Sequence, residues 1–130
     1  MAQILALVDD IFFLAKMQET ARRLGIELKT VGSGNAFLAE AAQTAAGLLI
    51  VDLNARQGPL EALEKLHAAG NQTPVIAFLS HVQVELAERA RAAGCRQVLP
   101  RSKFTQELAS ILASAASRSP QAKLDDTLKP

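Results

Sequence analysis

Short apolar runs alternate with stretches of helical periodicity through the first 116 residues. Residues 3–8 (QILALV) form a mostly apolar run that ends at Asp9 and Asp10. In 11–24, Leu14, Met17, Ala21 and Leu24 recur at spacings of three, four and three, which predicts a helix with one apolar stripe. Gly25 is placed to close that helix in the left-handed conformation. Residues 26–31 (IELKTV) alternate apolar and polar like an edge strand, 32–35 form a turn, and 36–45 are good helix formers. Residues 47–52 (GLLIVD) are a continuous apolar run ending in an aspartate, the pattern of a central parallel strand covered on both faces.

The second half repeats the alternation. Residues 53–58 form a loop, and Pro59 suits the first turn of a helix over 59–68. A turn at 70–73 leads to the apolar run 75–79, and a helix over 82–93 stops at Gly94. Residues 96–99 make a short strand, and Ser102 is the expected N-cap of a last helix over 103–116. Residues 117–130 hold few apolar groups and two prolines, so a loose tail is expected. The predicted organisation is one domain, 1–116, and a tail, 117–130, with no internal repeat.

Five strands each followed by a helix predict a doubly wound parallel α/β sheet. Right-handed crossovers leave few topologies, and the flavodoxin-like (βα)5 order 2-1-3-4-5 is the most economical. In such sheets the site lies outside the carboxyl ends of the strands, beside the switch point between strands 1 and 3.

Composition narrows the function. The 130 residues are 49% apolar and 21% charged, enough for a real core. Fourteen Lys and Arg oppose thirteen Asp and Glu, so the chain has no footprint for nucleic acid or for a membrane surface. With five Phe and no Tyr or Trp, an aromatic platform for stacked bases is not expected. The single cysteine, Cys95, excludes an internal disulfide and reads as a small buried hydrophobe. The apolar N-terminus is too short for a signal peptide or a membrane span, so a cytoplasmic location is expected.

The predicted topology gathers chemistry at one edge. Asp9 and Asp10 end the first strand, Asp52 ends the third, Leu79 and Ser80 end the fourth, and Pro100, Arg101 and Ser102 follow the fifth. Like charges brought this close need neutralising. A hard divalent cation such as Mg²⁺ would do so with oxygen ligands, and Arg101 is the resident alternative. A plainer reading makes Asp9 and Asp10 the cap and first-turn acids of the following helix. Other motifs carry less. The turn VGSGNAF resembles a dinucleotide fingerprint, but Phe37 stands where a small residue belongs and the turn follows the second strand. His67 and His81 lack partners at ligand spacing and read as helix-surface or cap residues. Ser80-His81 makes no nucleophile elbow. Arg96, Arg101 and Lys103 form a short cationic run that reads as a solvated face.

Over about residues 3–115 the chain resembles the receiver domain of two-component response regulators. The likeness rests on ILALVDD at 4–10, LLIVDLN at 48–54, TPVIAF at 73–78 and AAGCRQVLPRSKF at 92–104. The resemblance implies that Asp9 and Asp10 hold Mg²⁺, that Asn54 offers its backbone carbonyl to the metal, and that Asp52 accepts a phosphoryl group from a phosphohistidine donor. The carboxylate would attack phosphorus in line while metal and lysine neutralise the equatorial oxygens. A histidine kinase or phosphotransfer protein would then be the donor.

The readout half of the family pattern is altered. Arg101 stands at the lysine position, seven residues after Gly94, and Ser102 stands at the following cis-proline. Leu79, fifteen residues before Gly94, replaces the hydroxyl residue; Ser80 is one position off and would need a bulge to substitute. Val98 replaces the aromatic of the fifth strand, and the loop Ala55, Arg56, Gln57, Gly58, Pro59 lacks the usual Pro-Gly. The expectation is a stand-alone, non-enzymatic signalling module with impaired or phosphate-independent switching. Arg101 would pair with Asp52 and its neighbours in place of metal and phosphate, and the module would act by contact with a protein output partner. A homodimer could form through helix 4, strand 5 and helix 5. Two alternatives are a working Asp52 acceptor that uses Ser80, and a flavodoxin-like binder of a small ligand or nucleotide.

Overall fold

The computed structural model describes residues 3–80 and 83–116. The expected tail at 117–130 and His81 lie outside the described residues. The elements run β1 (Ile4–Leu7), α1 (Ile11–Leu24), β2 (Leu28–Val31), α2 (Gly34–Gln43), β3 (Leu48–Asp52), α3 (Pro59–Ala68), β4 (Val75–Leu79), α4 (Val84–Ala92), β5 (Gln97–Pro100), α5 (Arg101–Gln106) and α6 (Leu108–Ala116). The five strands are parallel in the order 2-1-3-4-5, as the alternation of elements predicts.

The period of two along each strand sorts the core into two layers. Ile4, Ala6, Leu48, Ile50, Ile76 and Phe78 face α1, α5 and α6, where Met17, Phe104 and Leu112 are fully buried. Leu5, Leu7, Leu49, Val51, Ala77 and Leu79 face the other way, toward Phe37, Leu63 and Ala90 of α2, α3 and α4. β1, β3 and β4 are buried on both faces, which is why their sequences are unbroken apolar runs. The two edge strands, β2 and β5, carry the exposed Lys29 and Gln97.

Local signals set the boundaries. Asp10 caps α1 by accepting from the amides of Phe12 and Phe13, and Gly25 closes it at φ 70°. On the predicted stripe Met17 and Ala21 are buried, Leu14 is half-buried, and Leu24 is 42% exposed; Phe13 takes its place in the core. Cys95 is buried, and burial pushes its thiol up to about 11.

Boundaries differ from expectation at α2, which starts at Gly34 inside the expected turn 32–35, and at the last helix. The last helical segment does not start after a Ser102 cap. It starts at Arg101, directly after Pro100 in extended backbone, and no side-chain oxygen caps it. Ser102 therefore lies inside α5. The segment is also interrupted at Glu107, although the amides of Glu107 and Ile111 still donate to the carbonyls of Lys103 and Glu107. The cause of the early start is Pro100, whose fixed φ presets the entry without a hydroxyl.

Gly34, the first residue of α2, shows why a glycine stands at this helix start. Its amide donates to the carbonyl of Gln57 at 2.7 Å, and a Cβ there would sit 2.4 Å from the carbonyl oxygen of Gly58. The glycine lets two loops touch backbone to backbone. Gly34→Ala should destabilise the fold by about 1–3 kcal/mol in urea unfolding. Gly32→Ala, which meets nothing within 4 Å, should change it by less than about 0.5 kcal/mol.

Candidate functional site

The carboxyl ends of β1 and β3 lie side by side, with Leu7 in register with Val51. This places Asp9 and Asp10, just past β1, beside Asp52 at the end of β3. β4 follows β3 in register and β5 follows β4, with Asp52 opposite Phe78 and Leu79 opposite Pro100. Arg101 thus enters the same edge from the first position of α5.

The three acids have different partners. Asp10 uses Oδ1 to cap α1 and accepts from Arg101 Nη2 at Oδ2, at 2.6 Å. That guanidinium lies over the ring of Phe13, 4.5 Å from its centroid. Phe13 packs against Phe78 and Phe104, which stack on each other at 4.4 Å. Arg101 is therefore pinned between a carboxylate and an aromatic cluster. The Arg101 hydrogen bond, backed by the two α1 amides, holds Asp10 below the usual carboxylate range. Asp9 accepts from the backbone amide of Arg56 at 2.9 Å, and the Arg56 guanidinium lies 3.4 Å away.

Asp52 is 3% exposed and alone among the described polar side chains in being buried. Its Oδ1 accepts from the amide of Asn54 at 2.9 Å. Burial pushes its carboxyl up, the Asn54 amide and the Arg101 charge pull it down, and the charges of Asp9 and Asp10 push it further up. The sequence expectation placed Arg101 on Asp52 and its neighbours. The hydrogen bond goes to Asp10, and Asp52 feels Arg101 only as a charge through space. Phe13 is the reason, because its ring holds the guanidinium toward the start of α1.

The donor set suits a hard cation, but its arrangement does not. Both oxygens of Asp10 are engaged, as are Asp9 Oδ2 and Asp52 Oδ1. Among the described residues no three His, Cys, Asp or Glu side chains gather closely enough to hold a metal ion.

The readout positions are equally clear. Leu79 is 4% exposed in the second core layer. Ser80 is exposed just past β4, and β4 pairs with both neighbours in unbroken register, without a bulge to turn it inward. Val98 is half-buried beside α4. The G-x-G turn engages its own amides: Gly34 N–H goes to Gln57, and Ala36 N–H to the Ser33 hydroxyl at 3.1 Å. Neither points to a phosphate. His67 is exposed, and Lys103 lies 3.4 Å from Glu107 and so is not part of a free cationic strip.

Three contributors escaped the sequence reading. Phe13 looks like any core aromatic, and its role under Arg101 needs the fold. Arg56 was visible only as the unusual residue in the loop that lacks Pro-Gly. Asn54 was expected to act through its backbone carbonyl, yet its side chain bonds to Gln83 and to the amide of Ser80.

This geometry, a buried strand-end aspartate flanked by an acid pair and a cation in a 2-1-3-4-5 sheet, defines a receiver-like α/β domain. No family model matches the chain. The response regulator TmoT of Ectopseudomonas mendocina is 28% identical over 116 residues, covering 88% of this chain and 53% of TmoT. The response regulator TodT of Pseudomonas putida is 26% identical over 119 residues, covering 91% and 52%. The chain spans about half the length of the curated relatives it matches. Among solved structures, the phosphorylated cyanobacterial phytochrome response regulator RcpA matches with a TM-score of 0.75 at 17% identity, covering 89% of this chain and 94% of RcpA. The chemotaxis response regulator CheY4 of Vibrio cholerae matches at 0.73 and 23%, covering 88% and 98%. In fold and in sequence the chain is thus similar to the receiver domains of response regulators. Among the described residues no helix is long and apolar enough to cross a membrane.

The site has a pH signature. A carboxyl whose pKa is raised on folding binds its proton more tightly in the native state, so its ionisation removes stability as pH rises through the carboxylate range. Asp10 works oppositely: its contribution is present above its unfolded pKa and is lost on acidification. Asp52→Asn should raise Tm by a few degrees at neutral pH, with the gain shrinking toward about pH 4, as followed by thermal unfolding across that range.

Proposed function

We propose that this receiver domain serves two-component or phosphorelay signalling as a non-enzymatic module whose switching is impaired or independent of phosphate. It acts by contact with a protein output partner. A histidine kinase or phosphotransfer protein is the class of donor that its Asp52 edge would meet. The bond between Arg101 and Asp10, with the guanidinium laid over Phe13, carries this reading. It supplies from within the chain the positive charge that a divalent ion would bring.

Physical chemistry supports the rest. A lysine is a flexible point charge that can follow a phosphoryl oxygen, whereas a stacked, hydrogen-bonded arginine is committed to one place. Leu79 has no hydroxyl to donate, and Ser80 lies outside the strand. Homodimerisation through α4, β5 and the last helical segment, α5 with α6, belongs to the same reading, and Val84 of α4 presents an apolar side chain 62% exposed.

Acetyl phosphate with Mg²⁺, followed by intact mass, tests the proposal. The native chain should gain little or none of the mass of one phosphoryl group. The double variant Leu79→Thr, Arg101→Lys should gain it measurably, and adding Asp52→Asn should abolish that gain. Stoichiometric uptake by the native chain would overturn the phosphate-independent reading and favour a working acceptor.

A further inference from the structure

We propose that Asn54 is a positioning residue that ties the Asp52 carboxylate to the first turn of α4 through Ser80 and Gln83. The inference rests on the Asp52 edge being the input of the domain, but not on whether that input is phosphate.

Asn54 joins three segments. Its backbone amide donates to Asp52 Oδ1 at 2.9 Å. Its side-chain oxygen accepts from the backbone amide of Ser80, just past β4, and its side-chain nitrogen donates to Gln83 Oε1 at 2.9 Å. The orientation is fixed by chemistry. A backbone N–H can only donate, so the amide oxygen must face Ser80, and the NH₂ is left for the Gln83 carbonyl. Residue 54 therefore reads the acid with its main chain and holds the next loop with its side chain.

Gln83 is where the link gains leverage. It stands at the N-cap of α4, but its side chain makes no capping bond to that helix. It is turned to Asn54 instead. The first rung of α4, from the amide of Ala87 to the carbonyl of Gln83 at 2.9 Å, thus begins on a residue held from outside the helix. Gln83 also lines a cleft of about 170 Å³ with Leu79, Val84, Ala87 and Val98, so the link ends at a wall of that cleft. Leu79 cannot provide this connection, because its side chain has no polar atom and lies in the core. Removing or altering the acceptor on Asp52 frees the Asn54 main chain, and the two side-chain bonds loosen with it.

Amide hydrogen exchange by NMR on the full chain, with no phosphate present, tests this. Asp52→Ala should speed exchange at Ser80 and Ala87 by about fivefold, the factor set by one ordinary hydrogen bond. Asp52→Asn, which keeps a carbonyl acceptor, should act in the same direction but less, and it serves should the alanine variant not fold. In an Asn54→Ala background the Asp52 substitutions should no longer affect either amide. Gln83→Glu, which keeps an acceptor for Asn54, should preserve the effect at Ala87, and Gln83→Ala should remove it. Exchange at Ser80 and Ala87 unmoved by Asp52 substitution, or moved equally with and without Asn54, would overturn the proposal. Phosphate uptake in the mass experiment leaves this outcome untouched, so the two readings fail separately.

Discussion

Carboxylates at the ends of β1 and β3 repel one another, and Arg101 relieves that repulsion by lying between Asp10 and the ring of Phe13. Much of the molecule is arranged around this contact. α1 must start directly after Asp10 for that residue to be both cap and acceptor. α5 must start at Arg101, which Pro100 achieves by presetting the chain. The stacked pair Phe78 and Phe104 supports Phe13 from below, so the core on that face of the sheet also holds the guanidinium in place. A surface ion pair would contribute little, but one stacked on an aromatic cluster is desolvated on one side and restricted in its motion.

The same arrangement gives each acid at this edge its own partner. Asp9, Asp10 and Asp52 share one edge of the sheet, but each is engaged by a different donor. Asp9 takes the Arg56 amide, Asp10 takes Arg101, and Asp52 retains one backbone donor in a buried setting. The loop after β3, and not a hydroxyl on β4, is what meets the start of α4.

The fold was legible in the sequence because its signals are one-dimensional. Unbroken apolar runs mark strands covered on both faces, and Pro59 and Gly25 punctuate helices. Strand-end aspartates and the parallel order sufficed to place Asp9, Asp10, Asp52 and Arg101 at one edge. The partner of Arg101 was not legible. Asp10 and Asp52 are equally good acceptors by type, and the choice between them depends on a ring 88 residues earlier in the chain. The helix start at Arg101 was missed because a proline can begin a helix without the polar cap that sequence rules look for. The side chain of Asn54 was missed because its bonds close across segments 26 and 29 residues apart.

The loop after β3 is fastened at two separate points, by the Arg56 amide on Asp9 and by the Gln57 carbonyl on Gly34. Adjacent residues thus reach opposite sides, one toward the turn into α1 and the other toward the start of α2. Its length is consequently dictated by its neighbours: one residue more or fewer would release one attachment to keep the other. Surface loops ordinarily absorb insertions and deletions, and this one is the exception in which a change of spacing is transmitted directly to two helices.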